Sequence, residues 1–183
     1  WSYNLLSSDE QLTLQRLSIF VGDFTLAAGL AVAGEDGGVA TDVVIENIAN
    51  LVAKSLVVMR IHDGRPRYRL LDMVRTYAAL KLAESGDSTR IAARHARYFA
   101  VQCREAEAPD SRALDMRDLG NIRAALAWSL SEHGDAAIAR DLSSAAMPIL
   151  LQWSLLAECR RWSARALQRL EDADRGSIFE SRL

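Results

Sequence analysis

The segment that most limits the possible fold is Lys54 to Tyr77, KSLVVMRIHDGRPRYRLLDMVRTY. Leu56 to Ile61 is rich in branched apolar residues and is typical of a β-strand. His62 to Pro66 contains the residue types of a tight turn, and Arg67 to Leu71 returns as the partner strand. Asp72 is well placed as the N-cap of a helix that follows at once. The segment therefore predicts a β-hairpin that leads directly into a helix.

Three short amphipathic helices are expected before this hairpin. Residues suited to N-caps begin them: Ser7 or Ser8, then Thr25, then Thr41 or Asp42. Gly22 and Gly34 are placed to end the first two helices, and residues 35–38 are predicted to form a turn. The apolar face of the second helix is predicted at Leu26, Ala27, Leu30 and Ala31. The buried stripe of the third is predicted at Val44, Ile45, Ile48, Leu51 and Val52.

Together these elements indicate a winged helix, in which a three-helix core carries a β-hairpin wing. The apolar residues of the helix after the hairpin are Met73, Val74, Tyr77, Ala78 and Leu80. Gly86 is placed to close that helix. We place the winged-helix domain at residues 1–86, which is within the usual size of a small domain.

The pattern after Gly86 is helical throughout, so the fold class is mainly α. Apolar residues mark four helices: Ile91, Tyr98, Phe99 and Val101; Leu119, Ile122, Leu126 and Leu130; Ala137 to Trp153; and Cys159, Trp162, Ala166 and Leu170. Gly134 should end the second of these, and Pro148 should bend the third. Antiparallel helices joined by short loops predict a tetratricopeptide-like helical-repeat array at residues 87–183, which we expect to be truncated. Trp128 and Trp162 are 34 residues apart, the tetratricopeptide period, but their neighbours do not align.

Composition and residue spacing argue against an enzyme or a membrane protein. Three histidines occur, at His62, His95 and His133, and they show neither metal-ligand spacing nor a nucleophile partner. Cys103 and Cys159 are too far apart for the close spacing of a zinc site. The glycines of residues 34–38 lack the Lys-Ser/Thr of a phosphate-binding loop. We expect no catalytic residue, no metal and no cofactor in this segment.

The net charge is −2, and the longest apolar stretches are far shorter than the roughly 20 residues that cross a bilayer. The start of the chain has no signal-peptide pattern. We therefore expect a cytoplasmic protein without membrane contact, and we interpret the chain as part of a longer one because it opens on Trp1.

DNA binding is one function that a winged helix suggests, because its third helix can enter the major groove while the wing touches phosphates. The wing is basic, with Arg60, Arg65, Arg67 and Arg69. The third helix is acidic instead, and residues 1–84 hold eight lysines and arginines against ten aspartates and glutamates. Direct DNA binding by this segment is therefore disfavoured. It stays open as the alternative, in the form of a DNA-binding transcription factor domain with a helical dimerisation tail.

A second basic stripe is predicted on the first helix after Gly86. Its members are Arg90, Arg94, Arg97 and Arg104. Such a stripe is either a solvated helix face or a docking face for an acidic partner.

Several phrases of the sequence resemble those of bacterial STAND-class regulators, which are signal-transduction ATPases of the NB-ARC type. These phrases are WSYNLLSSDEQ with LSIFVGDFTLAAG, LVAKSLVV, RYRLLDMVRTYA with LAESGD, and DLGNIRAALAWSL. In such proteins an effector domain precedes a P-loop ATPase core, a winged helix and a helical-repeat sensor. The chain resembles only the last two parts, so the resemblance implies that ATP or ADP binds to a core outside this segment.

The resemblance also implies how the segment would act. Leu70-Leu71-Asp72 corresponds to a segment that commonly reads Met-His-Asp in these proteins, where the histidine contacts the phosphate of ADP. Leu71 cannot donate a hydrogen bond to phosphate, so that latch is absent. We expect a regulatory relay in which an inducer or protein binds the array and the wing contacts the nucleotide-binding domain of the same protein. The wing arginines, Leu71 and Asp72 are the candidate contacts. A free-standing scaffold is a third, weaker reading.

Overall fold

The computed structural model describes residues 2–34, 40–108 and 114–169. The chain forms two compact units, Trp1–His95 and Ala96–Leu183. The turn predicted at residues 35–38 and the helical position of Leu170 lie outside the described residues. The domain boundary predicted after residue 86 stays a prediction.

The first unit begins with a short 3₁₀ turn, Ser2–Leu5, and helix α1, Ser8–Leu17. The Ser7 side chain accepts a hydrogen bond from the Glu10 amide, and the Glu10 carboxylate accepts one from the Ser7 amide, so Ser7 forms the capping box. The helix ends at Leu17 and not at Gly22. The chain turns there because Phe20 and Phe24 both enter the core, with their rings stacked at 4.4 Å.

Helix α2 is Leu26–Ala33, and Thr25 caps it by accepting a hydrogen bond from the Ala28 amide at 3.1 Å. The predicted apolar face is wrong, because Ala28, Gly29, Val32 and Ala33 are the buried residues. The helix contains little besides alanine, leucine and valine, so the sequence pattern did not distinguish its two sides.

Helix α3 is Thr41–Ala53. Ala40 occupies the N-cap position and supplies no side-chain hydrogen bond, so neither Thr41 nor Asp42 caps the helix. The buried stripe is Val44, Asn47, Ile48 and Leu51. Asn47 is buried because its side-chain amide donates to the Thr13 hydroxyl at 3.0 Å. Ile45 was expected in this stripe but is 44% exposed.

The wing consists of β1, Val57–His62, and β2, Arg65–Leu70, paired antiparallel. Asp63 and Gly64 alone form its turn, with φ of 50° and 73°, as in a two-residue type I′ turn. Both strands therefore extend closer to the turn than predicted. Phe24 adds an antiparallel bridge to Tyr68, with both backbone N–H···O distances at 2.8 Å, which anchors the hairpin to the helical core.

Helix α4, Asp72–Glu84, follows the wing directly, and Gly86 at φ 79° ends this part of the chain. The N-cap position belongs to Leu71, so the prediction that Asp72 caps the helix is wrong. Val74, Ala78 and Leu82 are its buried residues, whereas Met73 and Leu80 point to solvent.

Helix α5, Ser88–Ala106, begins in the first unit and ends in the second. The second unit continues with a 3₁₀ turn, Met116–Asp118, and three helices: α6, Leu119–Ser129; α7, Ala136–Gln152; and α8, Leu156–Leu167. Helix α7 continues through Pro148 to Gln152. Arg123 of α6 pairs with Glu158 of α8 through two hydrogen bonds, one of them 2.8 Å between Nε and Oε2. Among the residues described, the arrangement is helical with a single two-stranded sheet.

Candidate nucleic-acid interface

The register of the wing separates basic from apolar side chains. Val58 faces Arg69, Arg60 faces Arg67, and His62 faces Arg65 across the two strands. Residues directly opposite each other share a face of the hairpin, as do alternate residues along each strand. One side therefore carries all four arginines and His62, and we call it the basic face of the wing. The other side carries Val57, Met59, Ile61, Pro66, Tyr68 and Leu70.

Three of the four arginines are solvent-exposed. Arg60, Arg65 and Arg69 are exposed, and the Arg69 guanidinium lies 3.4 Å from the Asp72 carboxylate. Arg67 is only 6% exposed and interacts within the chain. Arg67 therefore belongs to the support of the wing, and the surface available to a partner is formed by the other three.

Like charges on this face oppose one another. Arg60 and Arg67 form a directly opposed cross-strand pair, an arrangement that destabilises a hairpin. Because Arg67 is buried and interacts within the chain, Arg60 is the member of this pair that a partner can reach, and guanidinium groups bind carboxylate or phosphate with paired hydrogen bonds. This face therefore presents the exposed guanidinium groups of Arg60, Arg65 and Arg69.

The exposed side of helix α3 is acidic and not basic. Its exposed residues are Thr41, Asp42, Ile45, Glu46, Ala49 and Ala53, which we call the α3 face. Within the described part of the chain, neither Asp42 nor Glu46 forms an ion pair, so two uncompensated carboxylates face solvent.

The lysine that follows α3 is engaged elsewhere. Lys54 follows the helix, and its ammonium group lies 2.6 and 2.7 Å from the two Glu10 carboxylate oxygens. The hydrogen bond from Lys54 holds the pKa of Glu10 below its ordinary value despite the burial of that carboxylate. Since carboxylates repel the phosphates that line a groove, α3 is poorly suited to reading DNA.

The two other residues predicted to contact a nucleotide core lie beside the wing. Leu71 is 47% exposed, and Asp72 is the exposed first residue of α4. They adjoin a shallow groove lined by Asp72, Met73, Thr76, Tyr77 and Leu80. Met73 is 80% exposed, and Leu80 is 59% exposed. This groove was not predicted, because helical periodicity assigned both residues to the core.

The predicted arginine stripe on α5 is divided in the structure. Arg90 binds the Asp87 carboxylate with Nη2–Oδ2 at 2.5 Å, and Arg94 donates to the Ala31 carbonyl at 3.1 Å. Arg16 of α1 donates to the Ala33 carbonyl at 2.7 Å and is buried, which lowers its pKa, with Arg90 contributing further. Arg16 and Arg94 therefore satisfy carbonyl groups at the C-terminal end of α2. Arg97 and Arg104 remain exposed in the second unit.

The part of the chain that the structure describes contains no group of His, Cys, Asp and Glu suited to a metal ion. His95 is buried against Phe20, at 5.2 Å between ring centroids, and Cys103 and Cys159 are buried thiols. Burial raises the pKa of Cys103 to about 12. No helix among residues 2–34, 40–108 and 114–169 is both long and apolar enough to span a bilayer.

Comparisons with known proteins agree with this fold. Residues 6–83 match the family of the winged helix-turn-helix domain. Over 169 residues the chain is 40% identical to Mycobacterium tuberculosis and Mycobacterium bovis proteins, each named "Putative HTH-type transcriptional regulator". A further Mycobacterium tuberculosis protein, named "Uncharacterized protein", is 40% identical over 99 residues, which are 54% of this chain and 25% of that protein. No solved structure matches.

The chain therefore contains a winged helix-turn-helix domain and is homologous to proteins named as regulators of this type. The longer alignment covers 88% of the chain but only 19% of each regulator, so the chain spans about a fifth of their length. The ATPase relay and the tetratricopeptide-like array stay predictions.

Proposed function

We propose that this chain is a DNA-binding part of a transcriptional regulator and that it contacts the DNA backbone through the basic face of the wing. The observation that carries the proposal is that Arg60, Arg65 and Arg69 are exposed and lie on the same face of one hairpin. The winged helix-turn-helix match and the names of the mycobacterial relatives support it. This was the less favoured reading of the sequence.

The proposed mode of binding differs from the usual one. In most winged helices the third helix reads base edges, but the α3 face here carries Asp42 and Glu46. Arginines on a hairpin contact phosphates, which position a protein without reading sequence. We therefore expect affinity that depends strongly on salt and weakly on DNA sequence.

Fluorescence anisotropy with a labelled duplex tests this mode. Arg60→Gln and Arg69→Gln should each weaken binding, and each should reduce the slope of log K against log salt by about one. Arg97→Gln is the matched control, since it removes an exposed arginine from the second unit. Wild-type protein that binds no duplex at low salt, or wing variants that bind as tightly as the control, would refute DNA binding by the wing.

A second candidate is the relay to a nucleotide-binding core elsewhere in the longer protein. Its support is the apolar groove of α4 beside Leu71, which suits a protein contact better than a nucleic acid. Regulatory coupling of this kind is typically worth about 1 to 3 kcal/mol. In the full-length protein, Met73→Ser and Leu80→Ser should then change nucleotide affinity, and unchanged affinity in both variants would exclude the relay through this groove.

A further inference from the structure

The α3 face has the composition of a protein-docking stripe. Asp42, Glu46, Ala49 and Ala53 are spaced three or four residues apart, and Ile45 lies three residues after Asp42, so all five lie along one side of the helix. An exposed isoleucine lies between two carboxylates, and small alanines allow close approach at the other end. Such a stripe fits a partner that presents cations beside an apolar surface.

The wing has the complementary chemistry. Its basic face carries exposed arginines around Val58, and its length matches that of the stripe: six residues per strand and 13 residues of α3 each span roughly 20 Å. Within one chain the two surfaces do not satisfy each other, because no ion pair joins Asp42 or Glu46 to a wing arginine among the described residues. In a second copy, the exposed arginines of the wing can face the two carboxylates of α3.

We propose that the basic face of the wing of one copy docks on the α3 face of a second copy. Charge complementarity sets the partner, and the exposed Ile45 supplies the apolar contact. The contact is weak and salt-dependent, because it consists of exposed ion pairs around a small apolar centre. DNA would compete with it for the same arginines, but the self-contact itself does not depend on DNA binding.

Sedimentation velocity over a range of protein concentrations at low salt tests the contact. The wild-type chain should associate, and raising the ionic strength should return it to monomer. Glu46→Arg and Arg60→Glu should each abolish association, since each places like charges opposite one another. Both positions are solvent-exposed, and circular dichroism verifies that the variants fold.

Mixing the two variants is a more stringent test than either variant alone. At one contact in the mixture, Arg60 of the Glu46→Arg variant faces the unchanged Glu46 of the Arg60→Glu variant. At the reciprocal contact, the arginine introduced at position 46 faces the glutamate introduced at position 60, so both contacts pair opposite charges. The equimolar mixture should therefore associate at least as well as wild type. A monomeric wild-type chain at every concentration, association that resists salt, or a mixture that stays monomeric would each overturn the proposal.

The self-association experiment and the DNA-binding experiment can fail independently of each other. Glu46→Arg should leave duplex affinity unchanged or raise it, because it removes a carboxylate and touches no wing arginine. Loss of self-association with DNA binding intact supports the α3 contact, whereas DNA binding that fails while the mixture rescues association refutes only the proposed function.

Discussion

Glu10 serves two elements at once. One of its carboxylate oxygens accepts the Ser7 amide of the capping box, and both bind the Lys54 ammonium group. The pair joins the start of α1 to the end of α3, 44 residues apart in sequence. Because the carboxylate is only 6% exposed, its charge is held by these partners and not by water.

This arrangement predicts a pH dependence of stability. The pKa of Glu10 is lowered on folding, so its contribution is fully present above its ordinary value of 4.5 and is lost as the pH falls through the lower folded pKa. Glu10→Gln should reduce the free energy of unfolding at neutral pH by about 1 kcal/mol and flatten its decline in acid. Urea denaturation at several pH values measures both effects. Glu84→Gln, in an exposed pair with Lys81, is the control and should change neither.

Gly64 is required by the turn of the wing. Its φ of 73° lies in the left-handed region, and nothing within 4 Å would obstruct an added Cβ. Gly64→Ala should therefore cost about 1 kcal/mol from backbone conformation alone, while Gly64→Asn should cost less because asparagine tolerates this region. Equal losses of unfolding free energy in the two variants would contradict the I′ turn.

The wing and helix α3 expose opposite charges. The wing is amphipathic across its two faces, and its apolar base is held by Leu70 and by the bridge from Phe24 to Tyr68. Helix α3 has the opposite charge on its exposed side. A winged helix with a basic wing and an acidic third helix is suited to backbone contacts on DNA and to protein contacts, and it is unsuited to base readout.

In the second unit, the Arg123–Glu158 pair connects α6 with α8, two helices separated in sequence by α7. The hydrogen bonds between them raise the pKa of Arg123 and lower that of Glu158. Arg123 is 45% exposed, so screening by water limits its value. A double-mutant cycle with Arg123→Gln and Glu158→Gln should give a coupling of about 0.5 to 1 kcal/mol by thermal unfolding. Additive effects would mean that the pair contributes nothing to stability.

Helix α5 contributes residues to both compact units. Its first half contributes to the first unit through buried Ile91, the contact of His95 with Phe20, and the hydrogen bond from Arg94 to Ala31. These contacts join residues beyond Gly86, where the sequence predicts the domain boundary, to the first unit, so we expect the stability of the winged helix to depend on them. Two fragments, one that ends before α5 and one that includes it, measure how much this half-helix stabilises the winged helix.

A fragment of residues 1–106 should unfold cooperatively, whereas a fragment of residues 1–86 should be less stable by at least about 3 kcal/mol. Losing the burial of Ile91 and the cover over Phe20 accounts for this difference. Chemical denaturation of the two fragments provides the measurement. Equal stability would mean that the half-helix contributes nothing and that the sequence-based boundary is sufficient.

The sequence by itself determined the order of elements, the wing with its four arginines and the Thr25 cap, and it narrowed the first cap to Ser7 or Ser8. These follow from local chemistry: a capping box, a two-residue turn and strand-forming side chains are each encoded within a few neighbouring residues. Tertiary structure alone decided that Arg67 is buried, that Ile45, Met73 and Leu80 are exposed, and that Arg94 bonds to the Ala31 carbonyl. Periodicity shows that a helix has an apolar side, but which neighbour covers it depends on packing between segments distant in sequence.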